Sequence, residues 1–224
     1  MSPRQYARLP QNSESRVMAD SAAALERRRV NLVWKRFFDV WIAVSLSLLL
    51  APLFLVLALA VALDSRGGVL FCQERIGRCG RPFRILKFRT MRVCPKGGAL
   101  TRSEDDRITR VGRVLRPLHL DELPQLWNVI RGDMSLIGPR PEVPRFVEVY
   151  TADQRATLLV RPGITCRSSI AFADESDRYP ADADPTTFYM EQILPEKCAM
   201  NVQYVLHLSL WEDVKIAFAT LFKK

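Results

Sequence analysis

The sequence predicts an α+β protein, mainly helical and monotopic in a membrane, with a Pro-broken re-entrant N-terminal helix, a short β-hairpin and amphipathic interfacial helices. Three observations predict this. Val40 to Leu63 is a run of 24 residues without a charge, interrupted by Pro52 and flanked on both sides by arginine and lysine. Two short β-like runs follow, and beyond them most apolar residues recur at helical spacing. The chain ends on an amphipathic stretch.

The apolar run exceeds the roughly 18 residues expected of a membrane helix. A straight span and a hairpin are both compatible with its length. Pro52 divides it into halves of about 18 Å each at helical rise, and a proline there removes one hydrogen bond and kinks the helix. Arg27, Arg28, Arg29, Lys35 and Arg36 precede it; Arg66, Arg75, Arg78, Arg81, Arg84, Lys87, Arg89 and Arg92 follow, with Glu74 the only acid between Arg66 and Arg92. Positive flanks favour the cytoplasmic side, and only a hairpin puts both there. Ser45 or Ser47 is expected to partner backbone groups freed at the break.

The remaining elements follow in order. Residues 1–20 read as a disordered tail, polar and poor in aliphatics, with a helix expected over residues 20–30. VLFCQERIG and FRILKF read as strands joined by the turn GRCGRP. VCPKGGALTRSED, residues 93–105, reads as a loop, and ITRVGRVLR as a helix. DELPQLWNVIRG reads as a second helix with Asp121 as N-cap, Pro124 in its first turn and Gly132 as its stop. MSLIGPRP is extended, VPRFVEVY and ADQRATLLV are helical, and RPGIT is a turn. Residues 173–185 form an acidic loop without calcium-site spacing. In the last stretch, Leu210, Val214, Ala217, Phe218 and Leu221 share a face, suited to a core or to a membrane interface.

A net charge of +9 implies an anionic partner. Five cysteines, an odd number without a C-x-x-C pair, argue against a disulfide framework or zinc site and suit a reducing compartment. Nothing interleaves aromatic and basic residues as nucleic-acid binding would require.

The chemistry concentrates at Asp121 and Glu122. Adjacent residues of a helix point about 100° apart, so they cannot share a proton as a dyad. They can take different roles in one site: one carboxylate a nucleophile toward phosphorus, the other a ligand for Mg²⁺. Arg116 and Arg140 are candidate phosphate clamps, since guanidinium forks match phosphate oxygens. Capping and surface charge are the plainer account of the same acids. His119 is a candidate general base by residue type, but a lone histidine is more often a polar neighbour, and it is not assigned that role.

KRFFD at 35–39, the Pro-broken segment, KFRTM at 87–91, LDELPQLWNVIRGDMSLIGPRPE at 120–142 and RPGIT at 161–165 occur in an order that resembles the monotopic bacterial sugar transferases, the polyprenyl-phosphate phosphoglycosyl transferases. The resemblance covers roughly residues 31–222. It implies transfer of a sugar phosphate from a UDP-sugar to polyprenyl phosphate with loss of UMP. Asp121 becomes the covalent nucleophile and Glu122 the Mg²⁺ ligand. Arg116, Arg140, Lys87 and Arg89 become substrate-phosphate or nucleotide-binding residues, and Pro52 the membrane helix break. It also implies a bacterial inner membrane location, anionic lipid contacts and a cytoplasmic catalytic domain, and leaves a homo-oligomer open. The implied division is a tail over residues 1–30, a re-entrant hairpin over 31–65 and a catalytic domain over 66–224. The sequence departs from the resemblance at Ala51, where serine is frequent before the proline, at Pro117–His119, and at Cys166, where glycine is frequent. Rival readings are a membrane-tethered phosphohydrolase using the same acids with water, and a non-enzymatic basic membrane scaffold.

Overall fold

A computed structural model describes residues 15–92, 106–180 and 184–222; the expected loop at 93–105, Cys94 and most of the expected tail lie outside them. Helix α1 (Arg16–Arg27) begins where Ser15 Oγ accepts the Met18 amide. It buries Met18, Ser21 and Leu25 at i, i+3 and i+7. The tail reading therefore stops short: a helix that looks polar by composition carries a narrow apolar seam, and that seam packs into the core formed with Leu159, Val202, Val205 and Ile216.

Helix α2 (Arg29–Leu49) and helix α3 (Ala51–Asp64) meet at a bend of 66°. Pro52 sits in the first turn of α3, where its missing N–H is no loss, but it cannot continue the α2 ladder. No single described helix is long and apolar enough to cross a membrane; only the bent pair passes that test together. Ser47 does not serve the break: its hydroxyl donates to the Ala43 carbonyl, 2.7 Å away within α2. Inward, α2 presents Lys35, Asp39 and Ala43, and α3 presents Leu57 and Val61. Outward, Trp34, Phe37, Phe38 and Trp41 of α2 and Leu55, Leu59 and Leu63 of α3 are exposed.

Strands β1 (Leu70–Ile76) and β2 (Pro82–Phe88) pair antiparallel, with Leu70 opposite Phe88 and Ile76 opposite Pro82. The turn between them passes through Cys79 at φ 57° and Gly80 at φ 72°. The hairpin is as expected; of the described cysteines, Cys72 is exposed while Cys166 and Cys198 are buried. After the short helix α4 (Arg110–Leu115), a 3₁₀ turn (Leu120–Glu122) leads into α5 (Gln125–Arg131). Gly132 ends α5 at φ 97°, the left-handed conformation that glycine adopts at no steric cost. Asp121 is not an N-cap: it lies within the 3₁₀ turn, and Pro124 occupies the cap position of α5.

RPGIT is more than a turn. Strand β3 (Ser135–Ile137) pairs parallel with β4 (Gly163–Thr165), Ser135 opposite Gly163. Two glycines let the backbones touch, for a Cβ on Gly163 would lie 2.1 Å from the Gly138 nitrogen. Helix α6 (Pro144–Glu148) is as expected, whereas residues 154–159 form a 3₁₀ rather than an α-helix. Helices α7 (Arg167–Ala171), α8 (Pro185–Phe188), α9 (Leu194–His207) and α10 (Leu210–Phe222) complete the described chain. On α10 the core-facing residues are Asp213 and Ile216, while Val214, Phe218 and Leu221 of the expected stripe are exposed.

A buried polar network fastens α2 to this body. Lys35 Nζ lies 2.7 Å from Asp213 of α10. Tyr204 of α9 donates to the same carboxylate at 2.6 Å. Asp39 accepts the Ser135 hydroxyl at 2.7 Å and the Leu136 amide at 3.2 Å. Each charge has a partner, as buried charges require.

Candidate active site

Four segments converge on the adjacent acids. His119 adopts a left-handed conformation, φ 53°, which turns the chain sharply after α4 and starts the 3₁₀ turn. Its backbone makes the turn, its carbonyl accepting the Glu122 amide at 3.1 Å, while the side chain is exposed. Asp121 and Glu122 follow, 8% and 9% exposed. Lys87 comes from the end of β2, Arg116 from the end of α4, and Arg140 from the turn after β3.

Glu122 is the hub. Its Oε1 accepts Lys87 Nζ at 2.6 Å and Arg140 Nη2 at 2.7 Å; its Oε2 has a 3.5 Å contact with Arg140 Nη1. Burial opposes ionisation of this carboxyl, but Arg140 and Lys87 together outweigh it and hold Glu122 well below the usual carboxylate range. The same contact, stronger than the cost of burial, holds Arg140 charged. Asp121 receives no side-chain hydrogen bond from the described residues. Burial pushes its carboxyl above the ordinary value, only partly offset by Lys87 and Arg116. The two acids therefore differ as a clamped, permanently charged group differs from an unclamped, basic one.

Arg116 thus acts on Asp121 through its charge. Arg89, expected beside Lys87, stands apart. Its buried guanidinium donates from Nη2 to the carbonyls of Val61 and Ser65 at the end of α3. Strand β2 ends at Phe88, so the two-residue alternation that would align Arg89 with Lys87 no longer holds.

Other positioning residues were not legible in the sequence. Arg36, which reads as a flanking charge, donates to the carbonyls of Val129 at 2.8 Å and Ile130 at 3.1 Å, capping α5 from α2. The Arg140 turn is held from three sides. Ile76 N–H donates to the Glu142 carbonyl at 2.9 Å, Arg75 to the Pro141 carbonyl at 3.0 Å, and Tyr189 to the Glu142 carboxylate at 2.6 Å. Glu142 in the GPRPE run was a usable signal; nothing local marks Arg75 or Tyr189 as its partners.

Among the described residues no three His, Cys, Asp or Glu side chains gather as a metal cage. Among the described residues, Glu122 Oε2, with only its long contact, and the adjacent Asp121 carboxylate are the oxygens of this cluster left for a cation. One or two carboxylates completed by substrate phosphate and water are what Mg²⁺ takes, so this donor set fits it.

A family model described as "Bacterial sugar transferase" matches residues 30–224. Over 192 residues the chain is 42% identical to the UDP-glucose:undecaprenyl-phosphate glucose-1-phosphate transferase of Caulobacter vibrioides, covering 84% of this chain and 68% of that protein. It is 41% identical over 194 residues to the UDP-N-acetylgalactosamine-undecaprenyl-phosphate N-acetylgalactosaminephosphotransferase of Aeromonas hydrophila, covering 84% and 42%. It is 38% identical over 200 residues to a UDP-glucose:undecaprenyl-phosphate glucose-1-phosphate transferase of Escherichia coli K12, covering 87% and 40%. The chain thus spans less than half of the latter two relatives.

Proposed function

This chain belongs to the bacterial sugar transferase family, and from that premise we propose that it moves a sugar 1-phosphate from a UDP-sugar to polyprenyl (undecaprenyl) phosphate through a covalent phospho-aspartate, releasing UMP and initiating surface glycan synthesis. The observation that carries the reading is the division of labour between the acids. Glu122 is locked by Lys87 and Arg140, while the Asp121 carboxylate beside it accepts no side-chain hydrogen bond from the described residues and is made more basic by burial. A basic, unclamped carboxylate is the better nucleophile.

In the first step an Asp121 carboxylate oxygen attacks the phosphorus that bears the sugar. A phosphorus–oxygen bond forms, the bond to the bridging oxygen breaks, and UMP leaves with that oxygen. In the second step a phosphate oxygen of the lipid attacks the same phosphorus; the aspartyl oxygen departs as carboxylate, and polyprenyl diphosphate sugar remains. Arg116 and Arg140 face the developing charge on the phosphoryl oxygens, where fixed cations act most strongly in a water-poor site. Lys87 keeps Glu122 oriented and ionised. Glu122 would hold Mg²⁺, which when bound neutralises phosphate charge.

The acceptor is a membrane lipid, and the bent α2–α3 pair with its exposed apolar outer face supports a re-entrant seat in the inner membrane. The basic flanks would draw it to anionic lipid and keep the catalytic body on the cytoplasmic side. The relatives' names differ in the sugar carried, so the donor is assigned only as a UDP-sugar.

The test is intact mass of the purified protein with Mg²⁺ and a panel of UDP-sugars, without lipid, beside Asp121→Asn. A sugar-phosphate adduct on the native chain, absent from the variant, is expected, and it names the sugar. Lipid-dependent UMP release without an adduct would mean direct transfer. UMP release that needs no lipid and leaves free sugar phosphate would mean a hydrolase.

A further inference from the structure

Asn128 lies in the middle of α5 and is 0% exposed, among Leu126, Val129 and Met134. Its amide is applied to the free edge of β2. Oδ1 accepts the Leu86 N–H at 3.0 Å, and Nδ2 donates to the Arg84 carbonyl at 2.8 Å. Successive residues of an antiparallel strand point their hydrogen-bonding groups to opposite sides. Asn128 therefore takes the pair that β1 cannot reach and stands in for a third strand. Lys87 is the next residue along β2.

The backbone of Asn128 holds a second connection. Its carbonyl accepts the amides of Gly132 at 3.1 Å, Asp133 at 3.0 Å and Met134 at 3.2 Å. Those residues lead into β3 and on to the turn that carries Arg140. The three segments that build the Glu122 cluster are thus joined at one residue: β2 with Lys87, α5 with the turn of Asp121 and Glu122, and the approach to Arg140.

We propose that Asn128 is a positioning residue that sets the Lys87–Glu122 contact, and so the charge around Asp121, in the transfer reaction of the previous section; its kinetic consequence rests on that reading. An apolar residue of similar volume would pack against the same neighbours. What it would lose is the pair of hydrogen bonds fixing β2 one residue before Lys87, leaving a buried N–H and C=O unpaired.

The test uses the purified full chain and three variants. Asn128→Leu removes both bonds to β2, together with the longer 3.4 Å bond from Nδ2 to the Asp133 carboxylate. Asn128→Asp keeps the acceptor but sets a carboxylate against the Arg84 carbonyl and near Asp133. Val129→Ala truncates the neighbouring fully buried residue while leaving the clamp in place. Amine labelling of Lys87, read by mass spectrometry against buried Lys35 and against Lys197 and Lys215, reports whether the ion pair has loosened.

Asn128→Leu and Asn128→Asp are expected to raise Lys87 labelling selectively and to slow adduct formation by up to about a hundredfold, the scale of a 1 Å misplacement. Val129→Ala is expected to lower Tm without a selective rise at Lys87. Unchanged Lys87 labelling in both Asn128 variants, or a uniform rise at all four lysines like that of a merely destabilised protein, would overturn the assignment. If the native chain forms no adduct, the covalent phospho-aspartate reading fails, and the labelling result still decides whether Asn128 positions Lys87.

Discussion

Replacing Glu122 by glutamine removes the charge that two cations share. Lys87 Nζ and Arg140 Nη2 lie within 2.7 Å of one Glu122 oxygen, so they are at most about 5 Å from each other, and at an effective dielectric of about 20 their unscreened repulsion is at least about 3 kcal/mol. Breaking a buried pair by removing one partner costs about 3–5 kcal/mol. The Arg140 side chain is 38% exposed, against 18% for Lys87, so water screens its share to under about 1 kcal/mol. Most of the penalty belongs to Lys87, and the net expectation is about 3 kcal/mol, or a fall in Tm of about 6–12 °C for a chain of this size. Thermal unfolding at neutral pH measures this, with inorganic phosphate as a second arm. Phosphate is expected to recover more Tm in Glu122→Gln than in the native protein, because the vacated cations can take an anion that Glu122 otherwise displaces. A variant within about 0.5 kcal/mol of the native protein, the scale of an ordinary surface change, and indifferent to phosphate, would refute the hub role.

Two further outcomes follow from the same geometry. The Asp121 carboxyl is raised, chiefly by burial; a nucleophile must be ionised, so activity is present above its folded pKa and lost as pH falls through it. The acid limb of kcat/KM is therefore expected above the ordinary aspartate value of about 3.9, with Glu122, held low, adding no step there; Arg116→Gln, which removes a charge that favours the carboxylate, moves the limb further up. A limb at or below the ordinary value would contradict the assignment. At the β3–β4 contact, Gly163→Ala places a Cβ 2.1 Å from the Gly138 nitrogen and 2.7 Å from its Cα, all rigid backbone. A loss of about 3 kcal/mol in denaturant unfolding is expected, against about 1 kcal/mol for Gly80→Ala, where only φ is strained and no atom lies within 4 Å.

Features encoded over a few residues were legible. Pro52 breaks the apolar helix because its ring and missing N–H act on the preceding turn. Gly132 stops α5, and the β1–β2 hairpin follows from two β-like runs around a glycine turn. Features that need a distant partner were less so. The α1 seam of Met18, Ser21 and Leu25 is too narrow to stand out until α9 is seen against it. RPGIT reads as a turn because three residues are too few to show alternation, and only β3 makes them a strand. The exposed stripe of α10 is ambiguous by pattern alone, since a core and a membrane interface ask for the same periodicity.

The site divides along the same line. The order of motifs in the chain determined the family and nominated Asp121, Glu122, Arg116, Arg140, Lys87 and Arg89, because the chemistry of phosphate transfer needs those residue types. Tertiary structure alone decided what each touches. It turned Arg89 to the end of α3, gave Arg36 to the end of α5, and placed Lys87 and Arg140 on one oxygen of Glu122. The physical reason is that a carboxylate's ionisation depends on its burial and on its distance to charges from other elements. Sequence spacing carries neither quantity, so two adjacent acids that look alike on paper fold into one locked anion and one carboxylate that burial makes more basic.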